Sequence, residues 1–163
     1  MSVTHVVVPL NPSLHDYLDA EGAAYPSEVG RRPSLLEVRA AIAVVPNVTA
    51  VFDVPLPGGT WTATLETAPS QPSHAWAVIT AHPFNDEASG YDIAFERGSP
   101  ELIVSVLHAL SSITGPLVLV PDSGEAPLVV SQQQTVPALL SSWADADADG
   151  ADDPDDNDPA SVT

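Results

Sequence analysis

The sequence predicts an α+β domain in which an antiparallel sheet, a four-stranded meander plus a C-terminal hairpin, carries helices packed on one face. Three observations support this. Residues 52–96 alternate apolar and polar side chains with turn residues between the runs. Two segments beginning at Ser34 and Ser99 place apolar residues at helical spacing behind capping signals. The strand candidates follow one another without intervening helices, which argues against a parallel sheet.

Val3 to Leu10 forms a short apolar strand candidate. Asn11-Pro12-Ser13 then caps a helical turn through Leu14, Tyr17 and Leu18. Ser34 with Glu37 three residues on forms a capping box, and Leu35, Val38, Ile42 and Val45 recur at helical spacing until Pro46, which predicts a helix over 34–45. Phe52, Val54 and Leu56 alternate before Pro57-Gly58-Gly59. Trp61, Ala63 and Leu65 alternate after it, so the segment predicts a hairpin with one buried face. His74 to Ala81 is nearly continuous in apolar residues and predicts a central strand. Tyr91, Ile93 and Phe95 alternate in a fourth strand after the polar turn at 85–90. On adjacent strands, Trp61, Trp76 and Tyr91 are expected to cluster, as an exposed aromatic platform or, as is commoner for such residues, on the core face.

Ser99, Pro100 and Glu101 are an N-cap, a first-turn proline and a dipole-compatible acid. The apolar stripe Leu102, Ile103, Val106, Leu107, Leu110 and Ile113 follows, and Gly115-Pro116 ends it. Leu117 to Val120 and Leu128 to Val130 flank Pro121-Asp122-Ser123-Gly124-Glu125 as a hairpin, and Val136 to Trp143 forms a terminal helix. Beyond Trp143 no apolar side chain larger than alanine occurs until Val162, too little to offset the entropy of ordering. The expected organisation is one domain over 1–143 and a disordered Asp-rich tail over 144–163.

Charge bounds the partners. The 163 residues hold 22 acids against 4 basic residues, all arginines, for a net charge of −18. Eight of the acids fall between Asp145 and Asp158, so residues 1–143 are still acidic by about ten charges. Such a field repels phosphate backbones and anionic membranes and attracts basic proteins, so the expected partner is a basic protein, with no direct nucleic-acid or membrane binding. Low charge density on the domain allows a homo-oligomer. Met1 to Leu10 has no basic residue and its apolar run is broken by Pro9, which predicts no leader or anchor and a cytoplasmic protein. With no cysteine there is no disulfide, thiolate metal site or cysteine nucleophile.

Asp145, Asp147, Asp149, Asp153 and Asp156, with Gly150, fall at the oxygen-ligand positions of a calcium loop. Asp152 stands where such loops are apolar, Asp156 replaces the bidentate Glu, and an Asp-rich tail produces this spacing from composition. The expectation is therefore no cofactor and no metal, with calcium as the one cation the tail suits. His82 with Asp86 is the acid–base pair on which a hydrolase reading rests. Ser123 lacks a nucleophile elbow, and the glycines at 58, 59 and 98 are turn residues rather than a phosphate cradle.

The stretch Phe95-Glu96-Arg97-Gly98-Ser99-Pro100-Glu101-Leu102, with Leu107 to Leu110, Gly115-Pro116-Leu117-Val118-Leu119, Asp122-Ser123-Gly124 and Pro127, resembles the C-terminal half of small immunity proteins from bacterial toxin–immunity pairs. It spans about a third of the chain and is a pattern of packing and turns. The resemblance implies an inhibitor without catalytic residues that blocks a toxin through an acidic face, and it carries over no binding residue. The functional expectation is thus a non-catalytic acidic protein-binding domain, immunity- or antitoxin-like, with Asp86, Glu87, Asp92 and Glu96 as contact acids. The alternatives are a structural or assembly subunit of a larger complex, and the His82/Asp86 hydrolase.

Overall fold

In the computed structural model the described residues are 4–53, 60–67, 75–83 and 90–151, with side chains described as far as residue 144. Seven strands form one antiparallel sheet: β1 (His5–Pro9), β2 (Val48–Phe52), β3 (Trp61–Thr67), β4 (Trp76–Pro83), β5 (Tyr91–Gly98), β6 (Leu117–Pro121) and β7 (Leu128–Val130). Their order across the sheet is β2-β3-β4-β5-β1-β6-β7. Among the described residues four α-helices accompany them: α1 (His15–Glu21), α2 (Leu35–Val44), α3 (Pro100–Thr114) and α4 (Val136–Ala151). The α+β antiparallel class expected from sequence is present.

The arrangement departs from expectation at β1. Meander and hairpin do not stand side by side; β1 lies between them, pairing antiparallel with β5 through Val6 and Ala94 and with β6 through Val7 and Leu119. The length of α3 explains the slot. A 15-residue helix returns the chain from the end of β5 to the level where β5 began. Strand β6 then runs parallel to β5, and the gap between two parallel strands accepts one antiparallel strand. The valine run Val6-Val7-Val8 suits a position with covered neighbours on both sides.

Nor do all the helices lie on one face. The main core joins Val38 and Ile42 of α2, Ile103, Leu107 and Leu110 of α3, and Leu139 of α4 to one face of the sheet, where Leu65, Ile79, Ile93, Phe95, Leu117 and Leu119 are buried. A second, smaller core lies behind the sheet. There Leu18 of α1 meets Leu10, Val118 and Val129, with Val8, Leu14 and Tyr17 packed around them. Alternation along β6 divides Leu117 and Leu119 from Val118, so this strand is covered on both sides.

Residues 22–34 carry the chain from the α1 side to the α2 side around the end of the sheet. Leu10 accepts from the Gly30 amide at 2.8 Å, Arg31 donates to the Thr114 carbonyl at 3.0 Å, and Tyr91 donates to the Pro33 carbonyl at 2.9 Å. Gly30 must be glycine for space: a Cβ there would lie 2.0 Å from the Pro116 carbonyl oxygen. The segment hands over to α2 through the predicted capping box, in which Ser34 Oγ accepts from the Glu37 amide and Glu37 Oε1 accepts from the Ser34 amide. Arg31 closes on the same carboxylate with two bonds of 2.9 and 2.7 Å. Hydrogen bonding from Arg31, reinforced by Ser34, holds the Glu37 carboxyl down at about 2.

Helix α4 runs to Ala151, eight residues past the end expected at Trp143. Alanines at 144, 146 and 148 have the highest helix propensity and let the backbone continue beyond the last apolar anchor. Trp143 itself is tied down, its ring 5.0 Å from that of His5. No described helix is long and apolar enough to cross a membrane.

Candidate interaction face

Helix α1 covers the back of the sheet only over β1, β6 and β7. Over β2 to β5 no helix among the described residues covers that face, and the strand pairings define what stands on it. Thr49, Glu66 and Trp76 form one row across β2, β3 and β4; Val51, Thr64, Val78 and Arg97 form the next; Thr62, Thr80, Ala94 and Val6 form a third. It is a threonine and valine surface with a tryptophan set into it. Trp76 is 40% exposed and Val51 62%.

One irregularity gives the face its charged groups. Val78 pairs with Arg97 while Ile79 pairs with Phe95, so Glu96 is the extra residue of a bulge. The bulge brings Glu96 and Arg97 together on the β5 side of the face. Thr80 Oγ1 donates to the Glu96 carboxylate at 3.2 Å, and the Arg97 guanidinium lies 6.0 Å from the Trp76 ring centroid. Below the bulge Gly98 fits tightly, since a Cβ there would come 2.6 Å from Ala77 Cα.

Of the four contact acids expected from sequence, two can be placed. Glu96 is exposed on the open face, and Asp92 sits at its margin with a carboxylate oxygen 2.7 Å from Arg32 Nε. Asp86 and Glu87 lie outside the described residues. His82 is exposed near the end of β4, in register with Asp92, while its proposed hydrolase partner Asp86 lies outside the described residues. Asp145, Asp147 and Asp149 belong to the helical backbone of α4, and Asp153 and Asp156 lie outside the described residues. Among the described residues no group of three or more His, Asp or Glu side chains is placed to hold a metal ion.

The tryptophans divide against expectation. Trp61 and Tyr91 are buried in the main core, with Phe52 stacked 5.1 Å from Trp61, whereas Trp76 faces the other way. The signal was present in the phase of the strand. Trp76, Val78, Thr80 and His82 share one parity, and the polar pair marks it as the wet side. Three alanines on the core side, Ala75, Ala77 and Ala81, concealed the alternation.

A cleft of about 230 Å3 opens between the end of α2 and the first turn of α3, lined by Asn47, Thr67, Glu101 and Ser105 among others. The Ser105 hydroxyl there donates to the Glu101 carbonyl at 2.7 Å, so the serine is engaged by its own helix. No family model matches the chain, and neither a curated protein nor a solved structure matches it.

Proposed function

We propose that this chain is a non-catalytic, acidic protein-binding domain, an immunity- or antitoxin-like inhibitor that receives a basic partner on the open face of β2–β5. The observation that carries the reading is the exposed tryptophan at the start of β4, with Glu66 in register beside it and Glu96 further along the same face, on a chain of net charge −18. Tryptophan is enriched among residues that dominate binding energies, because it covers a large area at little entropic loss. The surrounding field steers a cationic protein toward the face and accelerates encounter. Glu96 and Asp92 supply carboxylates on and beside it, and the reading extends to Asp86 and Glu87, between β4 and β5 in the sequence. It uses no cofactor.

The test is affinity purification of the full chain from its native cell at low and high salt, followed by stopped-flow association with the recovered partner. The reading expects a basic protein whose association rate falls at least tenfold between about 50 and 500 mM salt, and whose affinity falls on Trp76→Ala. A salt-independent rate, or binding indifferent to Trp76, would overturn it.

A further inference from the structure

Strand β2 is the outermost strand of the sheet, and among the described residues no strand pairs with its outer edge. Edge strands are normally protected by charge, proline, a bulge or a covering segment. Val48-Thr49-Ala50-Val51-Phe52 contains no charge and no proline, and it pairs with β3 residue for residue without a bulge. Helix α2 starts beside Tyr91 of β5 and ends four residues before β2, with the Arg39 guanidinium 4.3 Å from the Phe52 ring centroid. The outer surface of α2 is apolar too: Leu36 is 80% exposed and Val44 68%, with Ala40 and Ala43 between them. An exposed apolar row on a helix whose opposite side is already buried is a surface for a partner.

We infer that this edge is a homodimer interface, in which β2 of one copy pairs antiparallel with β2 of a second about a two-fold axis through Ala50. The backbone fixes the register. The Asp53 amide donates to the Thr62 carbonyl, so the backbone groups of odd-numbered residues turn toward β3 and those of Val48, Ala50 and Phe52 turn outward. Opposed about Ala50, the outward residues meet only outward residues: Ala50 meets Ala50, and Val48 meets Phe52, giving about six new backbone hydrogen bonds. On the open face Val51 lies beside Thr49 of the second copy. Charge favours a second copy as the occupant. The chain is strongly acidic, yet Val48–Phe52 carry no charge, and the charged groups on α2 are Arg39 and a Glu37 neutralised by Arg31. In this register Asp53 falls opposite Asn47, so no carboxylate meets another. The inference uses the outer edge of β2, which meets the proposed binding face at Thr49 and Val51, and does not depend on that reading.

Sedimentation of the full chain over a concentration series tests it. A dimer is expected, tightening as salt screens the repulsion between two acidic copies, which is the opposite salt response to capture of a basic partner. Ala50→Pro removes an outward amide where an edge strand tolerates proline, and Val51→Lys places a cation on the paired edge. Each is expected to weaken the dimer roughly tenfold or more while the circular dichroism spectrum is unchanged. If Ala50→Pro fails to fold, Val51→Lys and Leu36→Glu, both at exposed positions, decide the matter. A wild-type monomer at about 100 μM, including one that associates only with a foreign protein, overturns the inference. So does a dimer that survives the folded variants unchanged.

Discussion

Ser99 and Trp76 are linked twice: the Ser99 amide donates to the Trp76 carbonyl at 2.8 Å, and the Trp76 amide donates to Ser99 Oγ at 3.2 Å. Ser99 stands at the N-cap position of α3, but its side chain makes no hydrogen bond to the helix; it serves β4 instead. The hydroxyl therefore fixes where α3 leaves the sheet. Its removal leaves the Trp76 amide with water as its partner. Ser99→Ala is expected to lower stability by about 1 kcal/mol in urea denaturation. A change near zero would mean that the backbone bond alone holds the junction.

Gly30 and Gly22 are glycine for different reasons, and substitution separates them. Gly30 lies against the Pro116 carbonyl, so Gly30→Ala forces the two backbones apart and is expected to cost roughly 1–3 kcal/mol. Gly22 has open space around it but a φ of 74° at the end of α1. Gly22→Ala is expected to cost about 1 kcal/mol and Gly22→Asn less, since asparagine tolerates the left-handed region. Equal losses for Gly22→Ala and Gly22→Asn would remove the conformational explanation.

How much of this was legible follows from what each signal depends on. The capping box at Ser34 and Glu37 and the stripe of α3 are local, and both helices occur within a residue or two of the expected bounds. The insertion of β1 between β5 and β6 is a long-range pairing. Val6-Val7-Val8 gives its apolarity but not its neighbours. The placement of α1 behind the sheet turns on β6 being covered on both faces, which an uninterrupted Leu117-Val118-Leu119-Val120 run allows but does not require. The open face was missed for a smaller reason: alanines beside Trp76 masked a period of two.

The Glu37 carboxyl predicts an acid-limb response. Its folded value of about 2 lies below the ordinary 4.5, so the unfolded chain binds more protons in between. The stabilisation is complete above about pH 4.5 and is lost as the pH falls toward 2. An exposed ion pair of this kind is worth about 1 kcal/mol or less. Glu37→Gln is expected to lower stability at pH 7 and to flatten that stretch of the stability profile. If the variant and the parent lose stability in parallel from pH 5 to 2, the pair with Arg31 does not act on folding.

The two faces of the sheet make opposing predictions for two aromatic residues. Phe95 is fully buried between the sheet and α3, so Phe95→Ala is expected to cost about 3–5 kcal/mol through lost transfer and an unfilled cavity. Trp76 is larger, yet it stands on the open face, with Arg97 beside its ring and no helix above it among the described residues. Folding gains little from a tryptophan placed there. Threonine suits a solvated strand and matches the neighbouring rows, so Trp76→Thr is expected to change stability by less than about 1 kcal/mol. Denaturant melts of the two variants measure the contrast. A loss above about 2 kcal/mol for Trp76→Thr would make the tryptophan a structural residue and remove the anchor from the proposed binding face.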